Sequence, residues 1–239
     1  MKLGPNSDLG GRYFGYVTWM ELYHVMNRGV ERRNITVDNR DRLRFVRDLY
    51  EMNNGNPVNN LWYSLKNPAR TSTPEIVERE QLVDIHAWCL MGNHYHLLVS
   101  ERVEHGLSMF LMKFNMGYTK YFNLRHERSG VLYQGKTKRV LIEHEAHFLY
   151  ILLYIHCNPL DFMKGAAAWR SQCISNPTAA IEWIQKYRWS SYRNYTGKAE
   201  FASILDGSEL FKHRDDHKAE MRAYLKSLQS PELTSLYLE

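Results

Sequence analysis

Cysteine and long apolar runs are both scarce in this chain of 239 residues. The three cysteines, Cys89, Cys157 and Cys173, form no Cys-x-x-Cys pair, so the sequence indicates neither a disulfide framework nor a cysteine zinc site. The N-terminus has no apolar signal region, and no apolar run reaches the roughly 18 residues that crossing a bilayer requires. We therefore expect a soluble protein of the reducing cytoplasm.

The composition is that of a globular protein with a basic balance. Hydrophobic residues make up 44% and charged residues 24%, which predicts a folded chain rather than a disordered one. Lysine and arginine number 31 against 26 acidic residues, so the net charge is +5. That charge favours a polyanionic partner such as nucleic acid, but it fits an ordinary solvated surface about equally well.

Hydrophobic spacing predicts seven elements in the order strand, helix, strand, strand, helix, strand, helix. Asp38 is expected to cap the first helix, and a short Gly-Asn connection favours a hairpin between the second and third strands. Asn158 and Pro159 end the last helix. The predicted segments are residues 20–28, 37–50, 82–90, 94–100, 106–126, 130–142 and 143–157.

This order predicts an α+β fold of the ferredoxin-like, split βαβ type. We expect an antiparallel sheet with helices on one face, followed by a catalytic helix and a C-terminal helical extension. The main domain is predicted to span residues 1–197, with a helical tail at 198–239 that includes a helix at 211–228. The segment near 53–79 is rich in Asn, Pro, Ser and Thr and is predicted to be a surface insertion.

His94 and His96 lie two residues apart in a predicted strand, so both imidazoles project to the same face. That spacing suits a single metal ion. An isolated His-x-His is more often a pair of surface or half-buried histidines, so the motif alone is a weak signal.

Tyr154 and Asn158 are four residues apart at the end of the apolar helix and are predicted to share its face. Taken alone, such a pair is more often a core-edge aromatic residue and a helix C-terminal residue before a proline. Together with the two histidines, they suggest a metal ion that polarises a phosphate oxygen while the phenolic oxygen attacks phosphorus.

Basic residues with interleaved aromatics accompany these elements and could line a path for nucleic acid. A solvated helix face explains the residues of the second helix almost as well. The candidate DNA-binding residues are Arg28, Lys113, Lys120, Arg125, Lys136, Lys138 and Arg139.

Five motifs occur in a fixed order within residues 22–197. They are LYHVMNRG from Leu22, HAWCLMGNHYHLLV from His86, LYQGKTKRVLI from Leu132, YIHCNP from Tyr154 and WSSYRNYTG from Trp189. In this order the chain resembles the HUH-class single-tyrosine transposases, in particular the REP-associated tyrosine transposases and related insertion-sequence transposases. The segments near 53–79 and 166–185 are longer than that family's pattern.

The resemblance implies a role for each motif residue. Tyr154 matches the nucleophile, His94 and His96 match the paired metal ligands with Tyr95 between them, and Asn158 matches the third ligand. It further implies Mg²⁺ or Mn²⁺ as cofactor and a hairpin-forming single-stranded DNA as partner. The protein is expected to act as a monomer or as a homodimer.

Three functions remain open on the sequence. The first is a transposase that cleaves single-stranded DNA and transfers strands through a 5′-phosphotyrosine at Tyr154. The second is a domesticated protein that binds DNA hairpins with little or no transposition activity. The third is a metal-dependent phosphodiesterase in which water attacks and the tyrosine is structural.

Overall fold

The computed structural model describes residues 21–56, 79–143, 145–171, 174–198, 200–205, 208 and 217–228. Most of the predicted insertion near 53–79 lies outside these residues, as do Cys173 and the first part of the predicted helix at 211–228. No helix in the described ranges has the length and apolar character that a membrane crossing needs.

Four strands form one antiparallel sheet, which confirms the predicted α+β class. They are β1 (Leu22–Arg28), β2 (Val83–Leu90), β3 (His94–Glu101) and β4 (Lys138–Leu141), in the order β2-β3-β1-β4. The strand predicted at 130–142 is shorter than expected, because Gly130 and Gly135 adopt positive φ angles that interrupt an extended backbone.

Three long helices accompany the sheet: α1 (Asn39–Glu51), α2 (Gly106–Arg125) and α3 (Glu145–Cys157). Asp38 caps α1 as predicted, since its carboxylate accepts the backbone N–H groups of Arg40 and Asp41. A 3₁₀ turn, Asn158–Phe162, follows α3 directly, and a second covers Ala167–Ser171. Further α-helices in the described ranges are α4 (Pro177–Lys186), α5 (Tyr192–Tyr195) and α6 (His217–Ser227).

The alternation of side chains along the strands separates two faces of the sheet. Tyr95 of β3 packs against Phe45 of α1 and Phe114 of α2, with ring centroids 5.4 and 5.7 Å apart. His96, one residue later, faces the opposite side, where its ring meets Tyr154 of α3. The first two helices therefore share one face, and α3 packs on the other.

Buried apolar side chains form two clusters that meet at α3. The first contains the inner faces of the sheet, α1 and α2, together with Ile151 and Ile155 of α3. The second contains Cys157 at the end of α3 and side chains of α4 and α6, among them Ile184 and Leu225. Tyr154 packs against both clusters.

A buried amide fixes the chain where it enters β2. Asn53, 2% exposed, accepts the backbone N–H groups of Leu82 and Val83, each at 3.0 Å. Its Nδ2 donates to the carbonyl of Val83 at 2.8 Å. Because all three backbone groups are buried, this one side chain satisfies donors and an acceptor that water cannot reach.

Candidate active site

The two histidines of the predicted metal motif lie on the α3 face of β3, as their spacing predicts. His96 is 4% exposed and His94 is half-buried, and their ring centroids are 5.1 Å apart. The Nδ1 atom of His94 lies 2.6 Å from the side-chain oxygen of Asn93. This contact orients the ring, so Nε2 is the nitrogen that can face an ion.

His24 of β1 is a further member of this group that sequence analysis did not single out. Its Nε2 lies 2.9 Å from Nδ1 of His96, and the two rings stack with centroids 5.1 Å apart. The register of β1 against β3 places His24 diagonally beside His96 on one face. Side-chain alternation along β1 predicts the face on which His24 lies, but only the pairing of β1 with β3 shows that its neighbour is His96.

Burial keeps the imidazoles of His94 and His96 neutral at neutral pH. It lowers the pKa of His94 to about 4, with smaller contributions in the same direction from the cations Arg28 and Arg170. Burial likewise lowers the pKa of His96 well below its usual range, and the neighbouring His24 acts in the same direction. Neutral imidazole is the form that binds a metal ion.

Tyr154 of α3 stands over this histidine group. Its ring is edge-on to those of His96 and His24, with centroids 5.8 and 6.1 Å away. The hydroxyl oxygen accepts a hydrogen bond from the guanidinium of Arg170 at 2.5 Å. The predicted nucleophile therefore lies beside the predicted metal ligands.

Asn158 begins the 3₁₀ turn after α3 and is fully buried. Its Nδ2 donates to the carbonyls of Tyr154 and Ile155, at 2.9 and 3.3 Å, which fixes the orientation of the amide. The side-chain oxygen accepts a hydrogen bond from Arg170 at 2.8 Å. One guanidinium thus joins Asn158 to the hydroxyl of Tyr154.

Arg170 is the second functional candidate that sequence analysis missed. It lies in the segment 166–185, which the sequence marks only as longer than the family pattern. Asp161 accepts from its Nε and from a terminal nitrogen, at 3.1 and 2.7 Å, and also from the indole N–H of Trp169 at 2.7 Å. The guanidinium also lies 4.5 Å from the Trp169 ring centroid. These contacts hold Arg170 in one position.

The donor set fits a divalent ion in its chemistry. Within the described ranges, no three His, Cys, Asp or Glu side chains form a group that could hold a metal ion. The candidate site instead combines two imidazoles, His94 and His96, with the amide oxygen of Asn158. A carbonyl oxygen has two lone pairs, so the bond from Arg170 leaves Asn158 one with which to bind an ion.

Two of the predicted DNA-binding residues share the site's face of the sheet. Arg28 ends β1 opposite His94, and Lys138 of β4 lies opposite Met26. Residues directly opposite in an antiparallel pair project to the same side, so both cations flank the histidine group. Both are exposed, as is Lys136 just before β4.

Other predicted DNA-binding residues make contacts within the protein. Arg125 pairs with Asp38 and with the buried Asp41. Lys113 donates to the backbone carbonyls of Asn54 and Asn56. Arg139 lies on the helix face of the sheet and donates to Ser108 of α2 at 2.8 Å. Lys120 is exposed on α2.

Comparisons with known proteins reveal a distant likeness in structure. No family model matches the chain, and no curated protein does. A solved structure of a REP-associated tyrosine transposase bound to a REP hairpin matches over 80% of this chain and 87% of that chain. The sequence identity is 12% and the TM-score 0.43, so the assignment of function depends on the residues of the site themselves.

Proposed function

We propose that this protein is a metal-dependent, single-tyrosine DNA transesterase of the transposase type. It would cleave single-stranded DNA next to a hairpin and hold the cut end as a 5′-phosphotyrosine on Tyr154. One observation carries the proposal: Arg170 donates to both the hydroxyl of Tyr154 and the amide oxygen of Asn158, and the ring of Tyr154 lies against the imidazole of His96.

The reaction forms one bond and breaks another at the same phosphorus. The phenolic oxygen of Tyr154 attacks, the bond from phosphorus to the 3′ oxygen breaks, and that oxygen leaves as a hydroxyl carrying the proton that the phenol gives up. Because one phosphate ester replaces another, the second step can rejoin DNA without ATP. Strand transfer therefore needs only a new 3′ hydroxyl in place of the first.

Arg170 assists the attack by its position. Its guanidinium donates to the phenolic oxygen, which favours the negative charge that develops there when the proton leaves. The carboxylate of Asp161 holds the guanidinium from the other side at 2.7 Å. A planar donor fork of this kind also suits a phosphate oxygen.

We propose that His94, His96 and Asn158 hold Mg²⁺ or Mn²⁺. When bound there, such an ion acts as a Lewis acid on a phosphate oxygen. The second ring nitrogens of the two histidines are engaged by Asn93 and His24, which matches the supporting contacts that metal-binding histidines usually have.

We also propose that the domain is of the ferredoxin-like type. The element order β1-α1-β2-β3-α2-β4 and the sheet order β2-β3-β1-β4 support it, because a split βαβ arrangement places β3 between β1 and β2. In this arrangement β1 and β3 are central neighbours. His24 and His96 therefore meet in the middle of the sheet, facing α3.

The partner we propose is a DNA hairpin with unpaired flanking nucleotides. Arg28 and Lys138 lie on the face of the sheet that carries the histidines, where a phosphate backbone could approach the hydroxyl of Tyr154. Their exposure leaves both cations accessible to solvent and to a polyanion.

The direct test uses Tyr154→Phe, with Tyr150→Phe as the matched control. Tyr150 lies one helical turn earlier, with its ring centroid 5.7 Å from that of Tyr154. Each protein is incubated with labelled hairpin DNA, with and without Mn²⁺, and the label that remains linked to protein is measured after denaturing electrophoresis. The wild-type and Tyr150→Phe proteins should form a metal-dependent adduct that Tyr154→Phe lacks.

The other outcomes assign other functions. An adduct that persists in Tyr154→Phe excludes this residue as the nucleophile. Cleavage that leaves free 5′-phosphate ends indicates a phosphodiesterase using water. If the wild type and Tyr154→Phe both bind the hairpin tightly and neither cleaves it, a domesticated DNA-binding protein is favoured. Full metal-dependent cleavage by His94→Ala contradicts the metal site.

A further inference from the structure

A cavity of about 340 Å³ lies beside the turn that joins β2 and β3. Its wall combines three cations, Arg42, Lys186 and Arg188, with three aromatic rings, Phe162, Tyr187 and Trp189. None of these six residues belongs to the site described above. Alternating cationic and aromatic side chains are characteristic of surfaces that bind unpaired nucleotides.

The fold connects this cavity to the candidate active site at two points. Phe162 is the last residue of the 3₁₀ turn that begins at Asn158. Gly92, which also lines the cavity, precedes His94 by two residues in the hairpin turn. A nucleic acid strand that occupies the cavity therefore lies next to elements that carry two of the predicted metal ligands.

Of the three aromatic rings, Phe162 is open to solvent, whereas Tyr187 and Trp189 are fixed by contacts with the rest of the protein. Phe162 is 49% exposed, although a phenylalanine ring normally gains from burial. Its centroid lies 6.0 Å from that of Tyr187, whose hydroxyl donates to the carbonyl of Leu90 at 2.6 Å. Trp189 is 7% exposed beneath the guanidinium groups of Arg42 and Arg188. Phe162 thus offers a free ring face on a fixed support.

The cations differ in how far the protein already neutralises them. Arg188 pairs with Glu200, whose other carboxylate oxygen forms an ion pair with Arg193 at 2.9 Å. Within the described ranges, neither Arg42 nor Lys186 pairs with a carboxylate. These two positive charges are available to a phosphate group.

We propose that this cavity binds one unpaired nucleotide of the DNA substrate, with its base stacked on Phe162 and its phosphate held by Arg42 and Lys186. The proposal rests on the proposed function for the identity of the nucleic acid as DNA. The volume is at the low end of ligand-binding cavities, which suits one nucleotide rather than several. Every base has a stacking face, so this contact favours unpaired over paired DNA without selecting a sequence.

The test measures binding rather than cleavage. Fluorescence anisotropy compares a hairpin carrying an unpaired extension with the same hairpin lacking it, for the wild type, Phe162→Ala, Phe162→Tyr and Lys186→Gln. Phe162→Ala should bind the extended hairpin about ten-fold more weakly, and Phe162→Tyr should restore binding. The blunt hairpin should bind all four proteins alike.

Two surface variants serve as matched controls. Leu124→Ala removes an exposed apolar side chain, 81% exposed on α2, and Lys226→Gln removes an exposed charge on α6. Both should bind the extended hairpin as the wild type does. Wild-type affinity of Phe162→Ala for the extended hairpin, or an equal loss for the blunt one, overturns the cavity's role.

The adduct assay keeps the two proposals distinguishable. If Tyr154 forms its adduct while Phe162→Ala binds normally, the cavity proposal fails and the transesterase stands. If binding depends on Phe162 and Lys186 but no adduct forms, the cavity binds unpaired DNA in a protein that does not cut it. Photocrosslinking of 5-iodouracil in the extension should label a peptide that contains Phe162, Tyr187 or Trp189, and a crosslink confined to other peptides contradicts the assignment.

Discussion

Lys138 and Arg139 are neighbouring cations on β4 that project to opposite faces of the sheet. Lys138 lies opposite Met26 on the face that carries the histidines, whereas Arg139 donates to Ser108 on the helix face. If single-stranded DNA crosses the histidine face, only Lys138 can contact a phosphate. Neutralising Lys138 should therefore weaken DNA binding, and neutralising Arg139 should not.

The expected magnitude follows from counterion release. Each phosphate contact with a single strand contributes about 0.7 to the slope of log K against log salt, so Lys138→Gln should lower that slope by about 0.7. A slope difference of about 0.7 corresponds to roughly five-fold weaker DNA binding by Lys138→Gln at about 0.1 M salt. Between 50 and 200 mM salt, the ratio of wild-type to Lys138→Gln affinity should change by about 2.6-fold. Arg139→Gln should leave the slope within experimental error.

Fluorescence anisotropy of a labelled hairpin over that salt range measures both quantities. The two variants lose the same charge at adjacent residues, so a general effect of net charge would change the affinity and the salt slope of both equally. Equal slopes for Lys138→Gln and Arg139→Gln would mean that DNA does not follow the histidine face. A larger change in slope for Arg139→Gln than for Lys138→Gln would place the DNA on the helix face of the sheet.

Three further predictions concern the metal site, the pH dependence and the fold. His24→Phe removes the partner of His96 Nδ1 and should weaken Mn²⁺ binding about 10–100-fold by calorimetric titration, and unchanged affinity would exclude an orienting role. Burial lowers the pKa of His86 to about 3 in the folded protein, whereas in the unfolded chain it is about 6.5. Between these two values only the unfolded chain binds a proton at His86, so the free energy of unfolding falls as the pH is lowered. In urea unfolding at about pH 4.5 and 5.5, the fall in the free energy of unfolding should be smaller in His86→Gln than in the wild type by about 1.4 kcal/mol per pH unit. An equal fall in both proteins would contradict the lowered pKa of His86. Asn53→Ala leaves three buried backbone groups without partners and should cost about 2–4 kcal/mol in urea unfolding. The control Asn123→Ala, which removes a solvent-exposed bond to the carbonyl of Gly130, should cost less than about 1 kcal/mol.

The elements with strong periodicity were predictable from the sequence. The bounds of α1, α2 and the β2-β3 hairpin lie within two residues of the predicted ones, because their apolar spacing and the Asp38 cap are local signals. The strand expected at 130–142 was predicted too long. Its residues have strand-forming character, but between the positive φ angles of Gly130 and Gly135 the pairing is limited to one bridge, Gly29 with Tyr133, and β4 begins only at Lys138.

Long-range contacts explain the rest. His94 and His96 share a face by simple alternation, whereas His24 joins them only through the register of β1 against β3. Arg170 reaches Asn158 and Tyr154 because the chain folds back after the 3₁₀ turn, and no periodic pattern encodes that return. Arg125 could not be distinguished from a DNA-binding residue until its pairing with Asp38 and Asp41 was seen.

The position of Tyr154 at the junction of two apolar clusters has a consequence for control of the reaction. The histidines lie on β1 and β3 of the sheet, whose apolar residues form the first cluster, whereas Trp169, which supports Arg170, belongs to the cluster of the C-terminal helices. Proteins open in cooperative units that need not include the whole molecule. Sub-global opening of the C-terminal unit alone would withdraw Arg170 from Tyr154 and Asn158, while the sheet stayed protected from hydrogen exchange. The reaction would then stop at a temperature or denaturant concentration at which most of the protein is still folded.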